Sequence, residues 1–377
     1  MIPLTRPHFG PEETRAATAA IESGWVSQGA KVEAFERAVA GFCGTREAVA
    51  VSSCTAALHL SLLALQIGPG DQVVCPSMSF IATANTIRYA GATPVFADVD
   101  PRTFNLDPDS AEAALTNRTK AIMVVHQIGL PADLDRFNAI GAKHNVKILE
   151  DAAPALGSRY RNEPIGGHSE MACFSFHARK IITTGEGGMI TTNNAGYARQ
   201  LRLLRHHGMS VPDTVRHESK RVLTERYECL GYNYRMSDVH AAIGLEQVKK
   251  LPAILRRRCA LAGRYDEALR THPRLELPHV PAFAEPNFQS YAVRLKDDAP
   301  WTVDDLRQQL RDQGIATGRG VMLAHEEAPY RGAPVPLTLE RSENASRRSF
   351  LLPLYPDLTF SDQDRVIDAL VRANRHG

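Results

Sequence analysis

The sequence has no excess of one charge. Its 44 Lys and Arg residues stand against 42 Asp and Glu, a formal net charge of +2. Nothing in that balance calls for nucleic acid or an anionic membrane as a partner. The heaviest basic run, Arg256-Arg257-Arg258, falls in a helical pattern and reads as a solvated helix face. No apolar run approaches the ~20 residues that span a bilayer, so no membrane segment is expected. Met1 to Pro7 shows no apolar stretch behind a basic one, and no signal peptide is expected. Cysteine is sparse: Cys43, Cys54, Cys75, Cys173, Cys229 and Cys259 form no CxxC pair, and a chain this long does not need disulfide staples. A reduced, cytoplasmic enzyme is the expectation. Neither GxGxxG after a strand nor GxxxxGK[ST] occurs. His206-His207 has no partner at zinc-ligand spacing, and no metal is expected. Internal repeats and low-complexity segments are absent too.

What is present is a long alternation. The chain has 377 residues, 44% hydrophobic and 23% charged, enough for two or three domains. Ala48–Ser52, Gln72–Cys75, Thr93–Ala97, Ala121–Val125, Val146–Glu150, Ala172–Phe176 and Gly188–Thr192 read as strands. Helical spacing appears at Thr55–Gln66, about Phe80 to Ala90, and Asp133–His144, between strands. Such alternation implies crossover units and a mostly parallel sheet. Beyond residue 195 the pattern changes. Tyr197–His206 and Ser237–Leu251 are strongly helical, Pro252 sits at a hinge, and a proline-rich mixed stretch follows. It includes a strand at Gln289–Leu295, a helix at Val303–Gln313 and a last helix with Ser361 as N-cap. The expected architecture is α/β: a large domain over residues 1–250 with a mostly parallel, mixed seven-stranded sheet flanked by helices, and a smaller α+β domain over 251–377.

Ligands of an open α/β sheet bind beyond the carboxyl ends of the strands, so the polar residues there carry the argument. Ser52-Ser53-Cys54-Thr55-Ala56 joins a strand to a helix. It can either cap the helix or hold an anion on its open amides. Glu150-Asp151 ends an apolar strand, where a carboxylate needs a cation or a strong donor unless it caps the next segment. Lys180 runs out of another strand and precedes Thr183-Thr184-Gly185-Glu186-Gly187-Gly188. A lone Lys is ordinarily a surface charge. A Lys between a buried strand and a Gly-rich turn is less ordinary, and nucleophilic lysines form Schiff bases with carbonyls, pyridoxal phosphate included. A phosphate cradle, a strand-end carboxylate and a strand-end Lys are together what a pyridoxal enzyme needs.

With these stretches in order, the sequence resembles the DegT/StrS family of sugar aminotransferases, which have the type I aspartate-aminotransferase fold. The resemblance also runs through Gly24 to Gly29, Ser53 to Leu60, Gly68 to Asp71, Pro76 to Asn85 and Gly231 to Ser237. It implies pyridoxal 5'-phosphate as cofactor, with Lys180 as the catalytic residue that carries it and shuttles a proton. It further implies Asp151 at the pyridine nitrogen, Phe80 stacked on the ring, and Thr55, the Ala56 backbone and Ser175 at the phosphate. Asn233 would reach the phosphate in the neighbouring subunit, so a homodimer with shared sites is expected. The implied reaction moves an amino group from glutamate to a keto sugar, and the expected acceptor is a nucleotide-linked 4-keto-6-deoxy sugar. A 3-keto sugar or a cyclitol ketone is the alternative acceptor. A sugar dehydratase of the same fold would have His at position 180, and a non-catalytic regulator could dispense with Asp151 or Lys180; this chain keeps both. Two positions depart from the pattern. Many members have Gln where this chain has Pro154, which has no donor to offer, and Leu156 replaces a frequent His. Gly314 to Gly320 and His325-Glu326-Glu327 match more loosely and are expected to shape the sugar pocket.

Overall fold

The apolar runs between residues 47 and 192 form one seven-stranded sheet in the computed structural model, which describes residues 1–211, 213–336 and 338–373. Its strands are β1 (Glu47–Val51), β2 (Gln72–Pro76), β3 (Thr93–Ala97), β4 (Thr119–Val125), β5 (Lys147–Asp151), β6 (Met171–Ser175) and β7 (Gly188–Thr192). They lie in the order β1-β7-β6-β5-β4-β2-β3. β7 is antiparallel to both its neighbours and every other pairing is parallel. The sheet is thus mixed and mostly parallel, as the alternation implied. Every residue of β2, β6 and β7 is buried, the mark of strands covered on both faces.

Helices flank the sheet on both faces, among them α1 (Pro11–Glu22), α2 (Ala30–Cys43), α3 (Cys54–Ala64), α4 (Ala82–Tyr89), α5 (Leu134–His144), α6 (Ala195–Leu204) and α7 (Asp238–Leu269). The pleat sends alternate residues to opposite faces. Ile122 and Val124 of β4 join one core with residues of α2, α5 and α7, while Ala121 and Met123 join another with residues of α3, α4 and α6. The sequence reading did not assign α1 and α2. The start of α2 is held from far away: the buried Asp238 carboxylate accepts from the amides of Gly29 (2.8 Å), Val32 (3.0 Å) and Lys31 (3.1 Å).

Pro252 does not end its helix. α7 continues through it for 32 residues in all. An interior proline forfeits one hydrogen bond and costs about 3 kcal/mol, and packing on both sides outweighs that cost. Leu251 and Ile254 are fixed in the core under the large sheet, and Leu261, Ala262, Tyr265 and Leu269 in a second core. Residue 250 therefore falls inside a continuous helix.

The second core belongs to an antiparallel sheet of β8 (Leu275–Glu276), β9 (Tyr291–Leu295), β10 (Gly318–Arg319) and β11 (Ser349–Leu352), in the order β8-β9-β11-β10. It packs with the end of α7 and with α8 (Val303–Asp312) and α10 (Phe360–Ala373), while α9 (Glu340–Arg348) leads into β11. Ile2 also lies in this core. The last helix is capped by Thr359, whose hydroxyl accepts from Asp362 N at 3.0 Å. Ser361, the expected cap, sits inside the first turn instead. Among the described residues, no helix is long and apolar enough to cross a membrane.

Asp98, just past β3, binds α9 to the large sheet. Its carboxylate accepts from Ser342 N (2.7 Å), Ser342 Oγ (2.5 Å), Arg341 N and Arg341 Nε (both 3.2 Å). Burial alone would raise its pKa, but the donors at Ser342, Val99 and Arg341 outweigh that and hold the carboxyl below its ordinary range. A depressed folded-state pKa stabilises the fold above the ordinary carboxylate range and is lost as pH falls through the folded value. Asp98→Ala is expected to lose about 3 kcal/mol, since it strands buried donors. Thermal melts should show that gap at pH 7 and see it narrow as the pH drops below about 4.

Candidate active site

Because β4, β5 and β6 are parallel, their carboxyl ends open on the same edge, where α3 also begins. A cavity of about 340 Å³ lies there. Ser53, Thr55, Phe80, Asp151, Ser175 and Lys180 border it from the large sheet, and Gln289, Ser290, Leu351 and Leu354 from the smaller one. Five of the seven residues singled out from the sequence therefore share one cavity wall. Ala56 lies just behind, its amide donated to Ser53 Oγ at 3.1 Å. Asn233 does not border the cavity. It is exposed on the loop before α7, bridged to His206. Gly314 to Gly320 and His325 to Glu327 do not border it either. His325 Nδ1 instead bonds Ser77 Oγ at 2.5 Å.

The first-turn amides of α3 have no acceptor within the helix. Ser53 Oγ takes only that of Ala56, so the rest of the turn is open to an anion, which the helix dipole also favours. Gly188 explains how β7 comes so near. A Cβ there would stand 2.4 Å from the Ser53 carbonyl carbon and 2.6 Å from Cys54 N. Only glycine lets the turn after Lys180 close against this cradle. Ser175 closes it from β6, its Oγ accepting from His177 N at 3.3 Å.

The two adjacent carboxylates separate by the pleat. Glu150 turns away from the cavity and is fully buried against His126 (2.8 Å) and Ser169 (2.5 Å). Burial opposes its charge, but those hydrogen bonds hold its pKa below the ordinary value. Asp151 faces the cavity. Its Oδ2 accepts from Thr83 Oγ1 at 2.7 Å and its Oδ1 from Ala153 N at 3.2 Å, so it both caps the next segment and lines the site. Ser79 Oγ stands 2.7 Å behind Thr83 and orients that hydroxyl. Even so, burial dominates and pushes the Asp151 carboxyl upward.

Lys180 shows the mirror image. Burial draws its ammonium downward, against the opposing pull of Cys54 and Asp151. The site thus disfavours a charged carboxylate and a charged amine together, and a ligand that brings a cation to Asp151 relieves the first. A neutral amine at Lys180 is also the form that attacks a carbonyl. Anion cradle, carboxylate and nucleophilic amine suit a phosphorylated pyridine aldehyde. The sequence reading missed Thr83, Ser79, Gln127 and Gln289. Thr83 lies within a stretch already singled out for Phe80, but a hydroxyl among Ser77, Ser79, Thr83 and Thr86 carries no mark of which one meets Asp151.

Known proteins resemble the chain along nearly its whole length. Residues 7–371 match the model of the DegT/DnrJ/EryC1/StrS aminotransferase family. The aminotransferase TlmJ from Streptoalloteichus hindustanus is similar in structure, with 33% identity, a TM-score of 0.91, and 100% of this chain and 99% of that one covered. Spr1654 of Streptococcus pneumoniae, assigned as a sugar aminotransferase, aligns in its PMP-form at 27% identity and a TM-score of 0.93, with both chains covered in full. Its PLP-form aligns at 27% and 0.91, over 100% of this chain and 99% of that one. PseC of Helicobacter pylori, an aminotransferase involved in the biosynthesis of pseudoaminic acid, aligns at 26% and 0.92, again over the whole of both chains.

Proposed function

The chain belongs to the DegT/DnrJ/EryC1/StrS aminotransferase family and uses pyridoxal 5'-phosphate, and we propose that it transfers the amino group of glutamate to a nucleotide-linked 4-keto-6-deoxy sugar. In this reading it acts as a cytoplasmic homodimer, with residues 1–250 holding the cofactor and residues 251–377 closing the cavity. The observation that carries the reading is that Lys180, Asp151 and the start of α3 border one cavity.

When bound, pyridoxal phosphate supplies a carbonyl that receives the amine and a ring that accepts electrons from the reacting carbon. The protein supplies the rest. Lys180 anchors the cofactor and, with its pKa drawn down by burial, its Nζ takes a proton from the donor carbon and returns one to the acceptor carbon. Positioned acid–base help of this kind contributes ~10²–10⁴ in rate. Asp151, steadied by Thr83 and Ala153, keeps a proton on the ring nitrogen. Thr55, the Ala56 backbone and Ser175 hold the phosphate at the start of α3. Phe80, 64% exposed at the cavity rim, covers the ring face. Asn233 lies outside its own cavity, and Tyr89, Tyr227 and Leu230 are exposed large side chains. Both facts support a second copy of the chain that receives Asn233 beside its phosphate.

The test uses protein converted to the aminated cofactor form and a panel of keto sugars and cyclitol ketones, read by the return of the visible cofactor band. The expected fastest acceptor is a nucleotide-linked 4-keto-6-deoxy sugar, with glutamate the best donor in the preceding half-reaction, read by loss of the same band. Faster return with a 3-keto sugar or a cyclitol ketone would replace the acceptor; no return with any ketone would refute the proposal.

A further inference from the structure

Val125 at the end of β4 pairs in register with Asp151. Two residues on, the chain makes a tight turn at Gln127–Gly129. Ile128 there has φ +52°, a left-handed conformation that a β-branched residue adopts only under constraint. Gly129 has φ +94°, and a Cβ on it would stand 2.0 Å from Asn287 Oδ1. The constraint is a set of hydrogen bonds joining this turn to the loop after β5. Ser158 Oγ donates to Gly129 O at 2.7 Å, and Asn287 N donates to Ser158 Oγ at 3.1 Å. Asn287 Nδ2 also donates to Pro154 O (2.8 Å) and Leu156 O (2.9 Å). From the other side, Asn105 Oδ1 accepts from Gln127 N at 2.8 Å, and its Nδ2 donates to Leu130 O at 3.1 Å.

The strained turn presents Gln127 and Ile128 to the cavity. Gln127 is buried, and its Nε2 donates to Met78 O at 2.5 Å. That bond orients the amide and uses one of its two hydrogens. Neighbouring polar groups make bonds of their own. Ser79 serves Thr83, Thr83 serves Asp151, and Pro154 has no donor. Gln289 comes from the smaller sheet, and its Nε2 donates one hydrogen to Arg179 O at 2.6 Å. Gln127 is the neutral amide that follows the strand paired with Asp151, and the strained turn holds it in place.

We propose that Gln127 is a cofactor-contacting residue, its spare amide hydrogen donated to the phenolic oxygen of the pyridoxal ring. The inference rests on the cofactor assignment above. A donor at that oxygen draws off negative charge and loosens the proton held between it and the neighbouring nitrogen. Loss of the donor tightens that proton. Hydrogen bonds to charged groups are worth about one pH unit in such a balance.

The experiment is a spectroscopic pH titration of cofactor-loaded protein without substrate, for the wild type, Gln127→Met and Gln127→Leu. Met keeps the length and Leu the bulk, so a folding failure in one leaves the other to decide. The expected result is a rise of about one pH unit in the midpoint of the visible band, a tenfold shift. Pro154→Gln added to Gln127→Met should bring the midpoint back toward the wild-type value. An unshifted midpoint in either folded variant would overturn the inference. A wild type with no Lys180-dependent band would instead overturn the cofactor assignment, and the two failures are told apart in the same titration.

Discussion

Lys180→Ala will remove the visible cofactor band and slow the glutamate half-reaction by at least ~10²–10⁴-fold. The loss is chemical, because the loop around Lys180 does not depend on its side chain. Lys180 N donates to His177 O at 2.9 Å, and Thr184 N to Phe176 O at 3.0 Å. Thr183 Oγ1 donates to Phe176 O at 2.8 Å, and Thr183 N to Gln247 Oε1 at 3.3 Å, which links the loop to α7. All four bonds survive the substitution, so the melting temperature should stay close to that of the wild type. Lys180→Arg separates charge from nucleophilicity. A guanidinium remains protonated at any working pH and is no substitute for a neutral amine, so it should be as inactive as alanine. Either variant turning over at more than about a tenth of the wild-type rate would remove Lys180 from the chemistry, since the general acid–base contribution alone exceeds that.

The place of Lys180 at the cavity was legible in the sequence because local features mark it: a buried strand before it and a glycine-rich turn after it. The seven strands were legible for a similar reason. Each is an apolar run bounded by turns, and its period and burial are local properties. α1 and α2 were not. The start of α2 is fixed by Asp238, 209 residues from Gly29, and no local pattern announces such a partner. Pro252 misled because the local rule against interior proline is real but is overridden by two cores that meet along one helix. In the site, Thr55, Phe80, Asp151, Ser175 and Lys180 showed through, whereas the residues that orient them did not. Thr83 and Gln127 matter only because folding turns one toward Asp151 and the other into the cavity. Neither direction has a sequence period. Asn233 shows the same limit at the level of assembly: a motif named it, but its own chain leaves it outside the cavity.

Asp151→Asn will separate stability from activity. Asparagine keeps the shape: its Oδ1 can still accept from Ala153 N, while its Nδ2 takes the place of Oδ2 and donates to Thr83 Oγ1, whose own hydrogen turns to Ser79 Oγ. It cannot carry the negative charge that holds a proton on the ring nitrogen. Loss of one preorganised electrostatic partner costs about 10²–10³ in kcat, and turnover should fall by that much with the cofactor still bound through its phosphate. Stability should move the other way in the cofactor-free protein. Burial is the leading cause of the raised carboxyl pKa of Asp151, so ionising it costs the folded state more than the unfolded one. With a folded pKa above the unfolded value, this acid detracts from stability at neutral pH, and the penalty fades as pH falls through the raised folded value and is gone below the ordinary carboxylate range. The variant never ionises there, so its apo form should melt higher than wild type at pH 7 and converge with it near pH 4. Cofactor reverses the order, because the cationic ring nitrogen compensates the wild-type charge and gives the asparagine nothing comparable. The decisive measurement is a set of thermal melts with and without pyridoxal phosphate at both pH values. A variant that gains as much from cofactor as the wild type would show that Asp151 does not meet the ring nitrogen.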